Sequence, residues 1–119
     1  MIYIYDYEIH PNLFVAVFKQ PGKKEHVVFV IWYHNGAYII DDRSAFFKFI
    51  AQNPGLVGFN NIEFDAQLTD YMLKNPNFTV EELKVHANIC IRSKWPVIPE
   101  WQLTTRELDL YRVWHFLRL

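Results

Sequence analysis

The stretch IYIYDYEIHPNLFVAVF, residues 2–18, decides the fold of this chain. Residues 2–8 have the composition of a β-strand and residues 13–19 that of a second, because Ile, Tyr, Phe and Val dominate both runs. His10-Pro11-Asn12 lies between the runs and is typical of a turn. The stretch therefore predicts an antiparallel hairpin whose first strand is expected to be buried.

Strand and helix signals alternate after this hairpin. Asn35-Gly36 is a strong hairpin dipeptide, Thr79 and Glu82 have the spacing of a helix capping box, and Asp41 or Asp42 is placed to cap an earlier helix. The order of elements predicts an α/β or α+β sheet with helices packed against it. The predicted strands cover residues 26–33, 37–40 and 56–59, the predicted helices cover 43–52, 60–74 and 80–94, and residues 108–114 form a last strand or the start of a helix.

Composition bounds the class of protein. The 119 residues fit a single domain, and an apolar fraction of 51% with 18% aromatic residues supports a real core. The net charge of −1 provides no general positive field, so contact with nucleic acid needs a local patch or bound metal. Cys90 is the only cysteine, which excludes an intrachain disulfide. No apolar run approaches the roughly 20 residues that span a bilayer, so we expect a soluble, cytoplasmic protein without membrane contact.

Two acids interrupt the first predicted strand. Asp6 and Glu8 are two residues apart, so on a strand both side chains point to the same face. Like charges side by side on a sheet cost roughly 0.2–1 kcal/mol unless something neutralises them. One interpretation is that this face is in solvent. The other is a divalent cation, since hard carboxylate oxygens suit Mg²⁺ or Mn²⁺.

A third acid follows the predicted strand at residues 56–59. Asp65 lies near the start of the next predicted helix, at the kind of position where open α/β sheets expose residues to a ligand. The structural alternative is that Asp65 complements the helix dipole, worth about 0.3–1 kcal/mol, with Asn60 and Asn61 as plain turn or cap residues. The combination of acid-x-acid on one strand with this later segment favours a functional site.

These two motifs resemble those of a known family. YDYE, residues 5–8, and GFNNIEFD, residues 58–65, are similar to the first two motifs of the DEDD-type 3′–5′ exonucleases of the RNase H-like superfamily. The resemblance is strongest to the proofreading exonuclease domains of phage-type DNA polymerases. It extends to the strand-turn-strand after the first motif and to LDLYRVWHF, residues 108–116.

The resemblance implies a fold, an activity and a set of site residues. The fold would be an RNase H-like mixed sheet, with three antiparallel N-terminal strands, parallel strands after them and flanking helices. Asp6, Glu8 and Asp65 would be catalytic carboxylates holding two Mg²⁺ or Mn²⁺ ions for phosphodiester hydrolysis. Asn61 and Phe64 would contact the single-stranded 3′ end of DNA. His10 lies near the proposed site in sequence and is a further candidate substrate contact.

The third motif of the family is not found. It supplies a fourth carboxylate, four residues after a Tyr or five after a His, but Tyr71 leads to Asn75 and His86 leads to Ile91. Asp109 is the best remaining acid. We therefore expect residues 1–119 to form one exonuclease-like domain that is truncated at its C-terminus. It would be located in the host cytoplasm if it is phage-derived.

Two rival functions follow from that departure. A catalytically degenerate module would bind DNA or a protein without cleaving, and an RNase H-type endonuclease would share the metal chemistry but does not predict the segment at residues 58–65. Without the helix of the third motif, one sheet face would stay partly uncovered. That face would then be open to a polymerase or another protein partner.

Overall fold

A six-stranded mixed sheet organises the protein. The computed structural model describes the backbone of residues 1–117 and the side chains of residues 1–114. Within them the strand order is β4-β3-β2-β1-β5-β6. The strands are β1 (Ile2–His10), β2 (Leu13–Lys19), β3 (His26–His34), β4 (Ala37–Asp41), β5 (Gly55–Gly58) and β6 (Arg106–Asp109), and the helices are α1 (Arg43–Ala51), α2 (Asp65–Lys74), α3 (Val80–Arg92), a short 3₁₀ turn (Glu100–Gln102) and α4 (Leu110–Leu117).

The predicted hairpins are confirmed. β1 pairs antiparallel with β2 from Ile4 opposite Lys19 to His10 opposite Leu13, and β2 pairs antiparallel with β3. Asn35-Gly36 turns β3 into β4 with φ angles of 50° and 80°. Positive φ at both positions is what a tight hairpin turn requires, and asparagine followed by glycine adopts it at low cost.

Parallel strands extend the other side of β1. β5 lies parallel to β1 with Ile4 opposite Val57, and β6 lies parallel to β5 with Val57 opposite Leu108. Because β5 pairs with β1 only as far as Ile4, the second half of β1 runs on without a partner strand on that side. The carboxyl ends of β5 and β6 lie beside this free half of β1.

One face of the sheet carries the core. Tyr3, Tyr5 and Tyr7 of β1 alternate inward and pack against phenylalanines, with Phe18 stacked on Tyr5 at a ring separation of 5.6 Å. Apolar residues of the helices close the core over this face, and their burial is its main source of stability. The contributors from the helices include Phe46, Phe49, Leu68, Met72, Leu83 and Ala87.

The opposite face of the sheet is open. Ile2 and Ile4 of β1, Val28 of β3 and Leu108 of β6 lie on it, each about half exposed. Asp6 and Glu8 alternate with the buried tyrosines, so they belong to the same open face. The expectation that β1 is buried therefore holds for its tyrosine face alone.

The helix starts show where the sequence signals work and where they fail. The capping box of α3 is confirmed, with the Thr79 side chain accepting from the Glu82 N–H. Of the two acids predicted to cap α1, Asp42 occupies the N-cap position, but its Oδ2 accepts from Val30 N–H at 2.9 Å instead of from the helix. Asp41 Oδ1 accepts from Arg43 N–H, the first amide of α1, at 3.3 Å. α2 begins at Asp65 rather than residue 60, because residues 60–64 form a turn.

Within residues 1–117, no helix combines the length and the apolar composition that crossing a bilayer demands.

Removing the α3 cap should destabilise the protein. Thr79→Ala deletes the oxygen that accepts from Glu82 N–H, so we expect the free energy of unfolding to fall by about 0.5–2 kcal/mol. Urea denaturation measures the loss. Thr79→Ser keeps an acceptor and should lose much less, and equal losses in the two variants would show that the cap contributes nothing.

Candidate active site

Asp65 is anchored directly on the first strand. It is the first residue of α2 and only 6% exposed, and its Oδ2 accepts a hydrogen bond from Tyr7 N–H at 2.9 Å. That N–H belongs to the half of β1 that β5 leaves unpaired. Tyr7 stands between Asp6 and Glu8 in sequence, so the fold brings the second motif onto the first.

A second contact fixes the same helix end. The hydroxyl groups of Tyr7 and Thr69 are hydrogen-bonded at 2.7 Å, and Thr69 Oγ1 donates to the carbonyl oxygen of Asp65 at 3.2 Å. Tyr7 thus holds the first turn of α2 with both its backbone and its side chain. The Asp65 carboxylate is consequently set on a rigid frame.

The surroundings of the Asp65 carboxyl group favour its protonated form or its binding to a cation. The pKa of Asp65 is raised to about 7, chiefly by burial; the hydrogen bond from Tyr7 opposes the shift, and the charge of Asp6 contributes to it. The pKa of Asp6 is also raised, by burial and then by the charge of Glu8. Each acid therefore makes ionisation of its neighbour harder, and a bound cation would relieve that repulsion.

Glu8 pairs with His10 rather than with Asp65. It lies on the open face with its Oε2 3.6 Å from His10 Nε2, and both side chains are exposed. Among the side chains that the structure describes, residues 1–114, no three of the types His, Cys, Asp and Glu are grouped to hold a metal ion. The oxygen chemistry of Asp6 and Asp65 fits Mg²⁺ or Mn²⁺, but Glu8 does not complete a three-acid set in this arrangement.

Asn61 and Phe64, two of the three predicted substrate contacts, are buried or partly buried. Asn61 is fully buried, and its Nδ2 donates to Glu107 Oε1 at 2.8 Å. A Cβ on Gly58 would lie 2.9 Å from the Cβ and Cγ of Asn61, so the glycine makes room for this side chain. Phe64 is partly buried against the core immediately before α2. Their role in holding DNA stays a prediction, as does that of His10.

Glu107 of β6 is a buried acid that the sequence reasoning missed. Its Oε1 accepts from Tyr5 Oη at 2.5 Å as well as from Asn61, and burial raises its pKa. Its Oε2 and the Oδ1 of Asn61 are buried without a normal hydrogen-bond partner among the described residues. The acid-x-acid spacing of Glu107 and Asp109 repeats that of Asp6 and Glu8 and was the signal available in the sequence.

Asp109 holds the loop that leads to Asp65. Its carboxylate accepts from the N–H groups of Asn60 at 2.7 Å, Ile62 at 3.3 Å and Tyr111 at 3.0 Å, and the residue is 2% exposed. Residues 108–114, predicted as a last strand or the start of a helix, contain both: β6 joins the sheet and ends at Asp109, and α4 begins at the next residue. Three backbone donors make Asp109 a structural clamp on the turn before α2.

Comparison with protein-family models, with curated proteins and with solved structures finds no match to this chain. Functional inference therefore rests on the motifs in the sequence and on the geometry of the site.

The buried charge of Asp65 should make stability depend on pH. The folded pKa of about 7 lies above the ordinary value of 3.8, so the stability that this group contributes in acid is lost as the pH rises from about 4 to 7. Asp65→Asn does not titrate, and its amide oxygen can still accept from Tyr7. Without divalent cations, we expect Asp65→Asn to raise the urea midpoint more at about pH 8 than at about pH 5.

Glu63→Gln is the matched control, because Glu63 is an exposed acid two residues from Asp65. Its effect on the urea midpoint should not vary with pH. A parallel pH dependence in the wild type and in Asp65→Asn would contradict a raised Asp65 pKa.

Proposed function

We propose that this chain is a metal-dependent nuclease domain that hydrolyses phosphodiester bonds at single-stranded DNA 3′ ends, in the manner of a proofreading 3′–5′ exonuclease. The observation that carries the proposal is the hydrogen bond from Tyr7 N–H to Asp65 Oδ2. It joins two sequence motifs that are more than fifty residues apart, at a place where the charge of Asp6 raises the pKa of Asp65.

The mixed sheet supports the proposal. The structure has four antiparallel strands at the N-terminus, one more than the three expected, and parallel strands on the other side of β1. This mixed arrangement is compatible with the one that an RNase H-like fold implies. We therefore propose the RNase H-like assignment as well. Asp6 lies on the central part of β1, where the sheet holds its backbone on one side and Asp65 caps the other.

The residues of the site would act either as metal ligands or as groups that position those ligands. Asp6 and Asp65 would supply carboxylate oxygens from two separate elements, and Glu8, exposed on the open face, would turn from His10 to join them. Bound cations would polarise the phosphate and lower the pKa of the attacking water. Tyr7 and Thr69 would act as positioning residues, since they hold Asp65 and face away from the open side.

The alternative is a degenerate module that binds DNA or a protein partner without cleavage. Two observations favour it: the missing third motif and the lack, among the described side chains of residues 1–114, of a three-acid metal group. The two functions differ in a single measurable step, hydrolysis.

Cleavage should depend on Asp6. Purified protein, 5′-labelled single-stranded DNA and Mn²⁺ should give stepwise shortening from the 3′ end, and Asp6→Asn should reduce the rate at least about 100-fold while the protein stays folded. Denaturing gels resolve the products. Glu63→Gln is the matched control and should keep the rate. DNA that stays intact at high protein concentration would overturn the nuclease and, with retained binding, establish the alternative.

Metal binding can be measured apart from activity. Mn²⁺ or Mg²⁺ should raise the thermal unfolding midpoint of the wild type with increasing concentration, because ligands that prefer the folded state stabilise it. The gain should shrink at about pH 5, where protons compete for Asp65. Asp65→Asn should respond far less than Glu63→Gln. An equal response in both variants would place the cation elsewhere.

A further inference from the structure

Helix α3 carries an exposed row of side chains that the proposed active site does not use. The helix packs on the core through Leu83, Ala87 and Cys90. Its opposite side presents Glu82, Val85, Ile89 and Arg92, which we call the α3 stripe. Spacings of three, four and three residues place these side chains on one side of a helix. Val85 is 56% exposed and Ile89 is 51% exposed, so two apolar residues occupy the middle of the stripe.

The α3 stripe is complementary to itself. The stripe is symmetric in sequence about Ala87. Glu82 precedes Ala87 by the same number of residues by which Arg92 follows it, and Val85 and Ile89 form a second, closer pair of this kind. If a second copy is turned by 180°, its helix runs antiparallel to the first. Val85 then faces the other copy's Ile89, and Glu82 faces the other copy's Arg92, twice over. Such a patch has the pattern of an interface in a two-fold symmetric dimer.

The two ends of α3 are also complementary, because one carries an exposed tryptophan and the other a hollow. Trp95 follows α3 and is 73% exposed, which is unusual for so large an apolar side chain. A hollow of about 270 Å³ lies at the other end of the helix, lined by residues 75–78 and by Glu82. Because Glu82 belongs to both the hollow and the α3 stripe, an antiparallel copy would bring its Trp95 to the hollow.

We propose that the α3 stripe is a homodimer interface and that its occupant is the antiparallel α3 of a second copy. Glu82 Oε1 accepts from Thr79 N–H in the capping box, so the pairing with Arg92 of the second copy uses the other carboxylate oxygen. This charge pairing sets the direction of the two helices, and the apolar pair supplies the contact between them. A single helix pair buries less area than a standard protein interface, so the dimer is weak and forms with increasing concentration. Since α3 packs on the buried face of the sheet, the dimer leaves the open face with Asp6 and Glu8 accessible.

A charge in the middle of the α3 stripe should separate the copies. Ile89→Glu should raise the dimer dissociation constant at least tenfold in sedimentation equilibrium. Ile91→Glu is the matched control, because Ile91 is an exposed isoleucine on the same helix, 65% exposed and outside the stripe. It should leave the constant unchanged. A chain that stays monomeric at millimolar concentration, or a dimer equally affected by both variants, would overturn the proposal.

Charge exchange tests the antiparallel pairing itself. Arg92→Glu and Glu82→Arg should each weaken self-association at least tenfold, and an equimolar mixture should recover it, because the two variants restore both ion pairs across the interface. Glu82→Arg removes the half of the capping box in which Glu82 Oε1 accepts from Thr79 N–H at 3.1 Å. The other half remains, since the Thr79 side chain accepts from the backbone N–H of residue 82.

Circular dichroism verifies that both variants are folded. A mixture that associates no better than either variant alone would exclude the pairing of Glu82 with Arg92. A dimer that survives all the α3 variants but is lost in Val28→Glu would place the interface on the open face of the sheet.

Discussion

The hydrogen bond from Tyr7 N–H to the Asp65 carboxylate is the constraint on which the site depends. β5 stops pairing with β1 at Ile4, so the amide of Tyr7 would be left without a partner strand on that side. A buried N–H without an acceptor costs about 1–3 kcal/mol, and Asp65 removes that cost. The same bond brings α2 up to the edge of the sheet. One interaction therefore completes the backbone pairing of β1 and places an acid next to Asp6.

That arrangement is unfavourable for the acids themselves. Burial raises the pKa of Asp65, Asp6 and Glu107, and neighbouring carboxylates add to each shift. A protein selected for stability alone gains nothing from three acids in such surroundings, because a neutral side chain of similar shape would hydrogen-bond without the charge. Strongly shifted acids gathered at one edge of a sheet are typical of functional sites, although structural networks also shift pKa values. The metal proposal supplies the counter-charge that this cluster lacks.

Local patterns in the sequence predicted the parts of the fold that local chemistry determines. The alternation in β1 placed Asp6 and Glu8 on one face, Asn35-Gly36 marked its hairpin, and Thr79 with Glu82 marked the start of α3. The start of α2 was wrong because Asp109, remote in sequence, accepts from the backbone of the preceding turn. Asp42 failed as a cap because Val30 of a neighbouring strand uses its carboxylate. The misses share a cause, a carboxylate whose partner comes from a distant part of the chain.

The two faces of β1 decide from which side the site can be reached. On the inner face Tyr7 and Thr69 fill the space beneath Asp65, and Asn61 is enclosed with Glu107. On the outer face Asp6 is exposed, and so are the isoleucines beside it. A cation or a nucleic-acid end would therefore approach from the open face. Buried residues such as Asn61 would then act through the loop they hold, because they have no direct path to a ligand on that side.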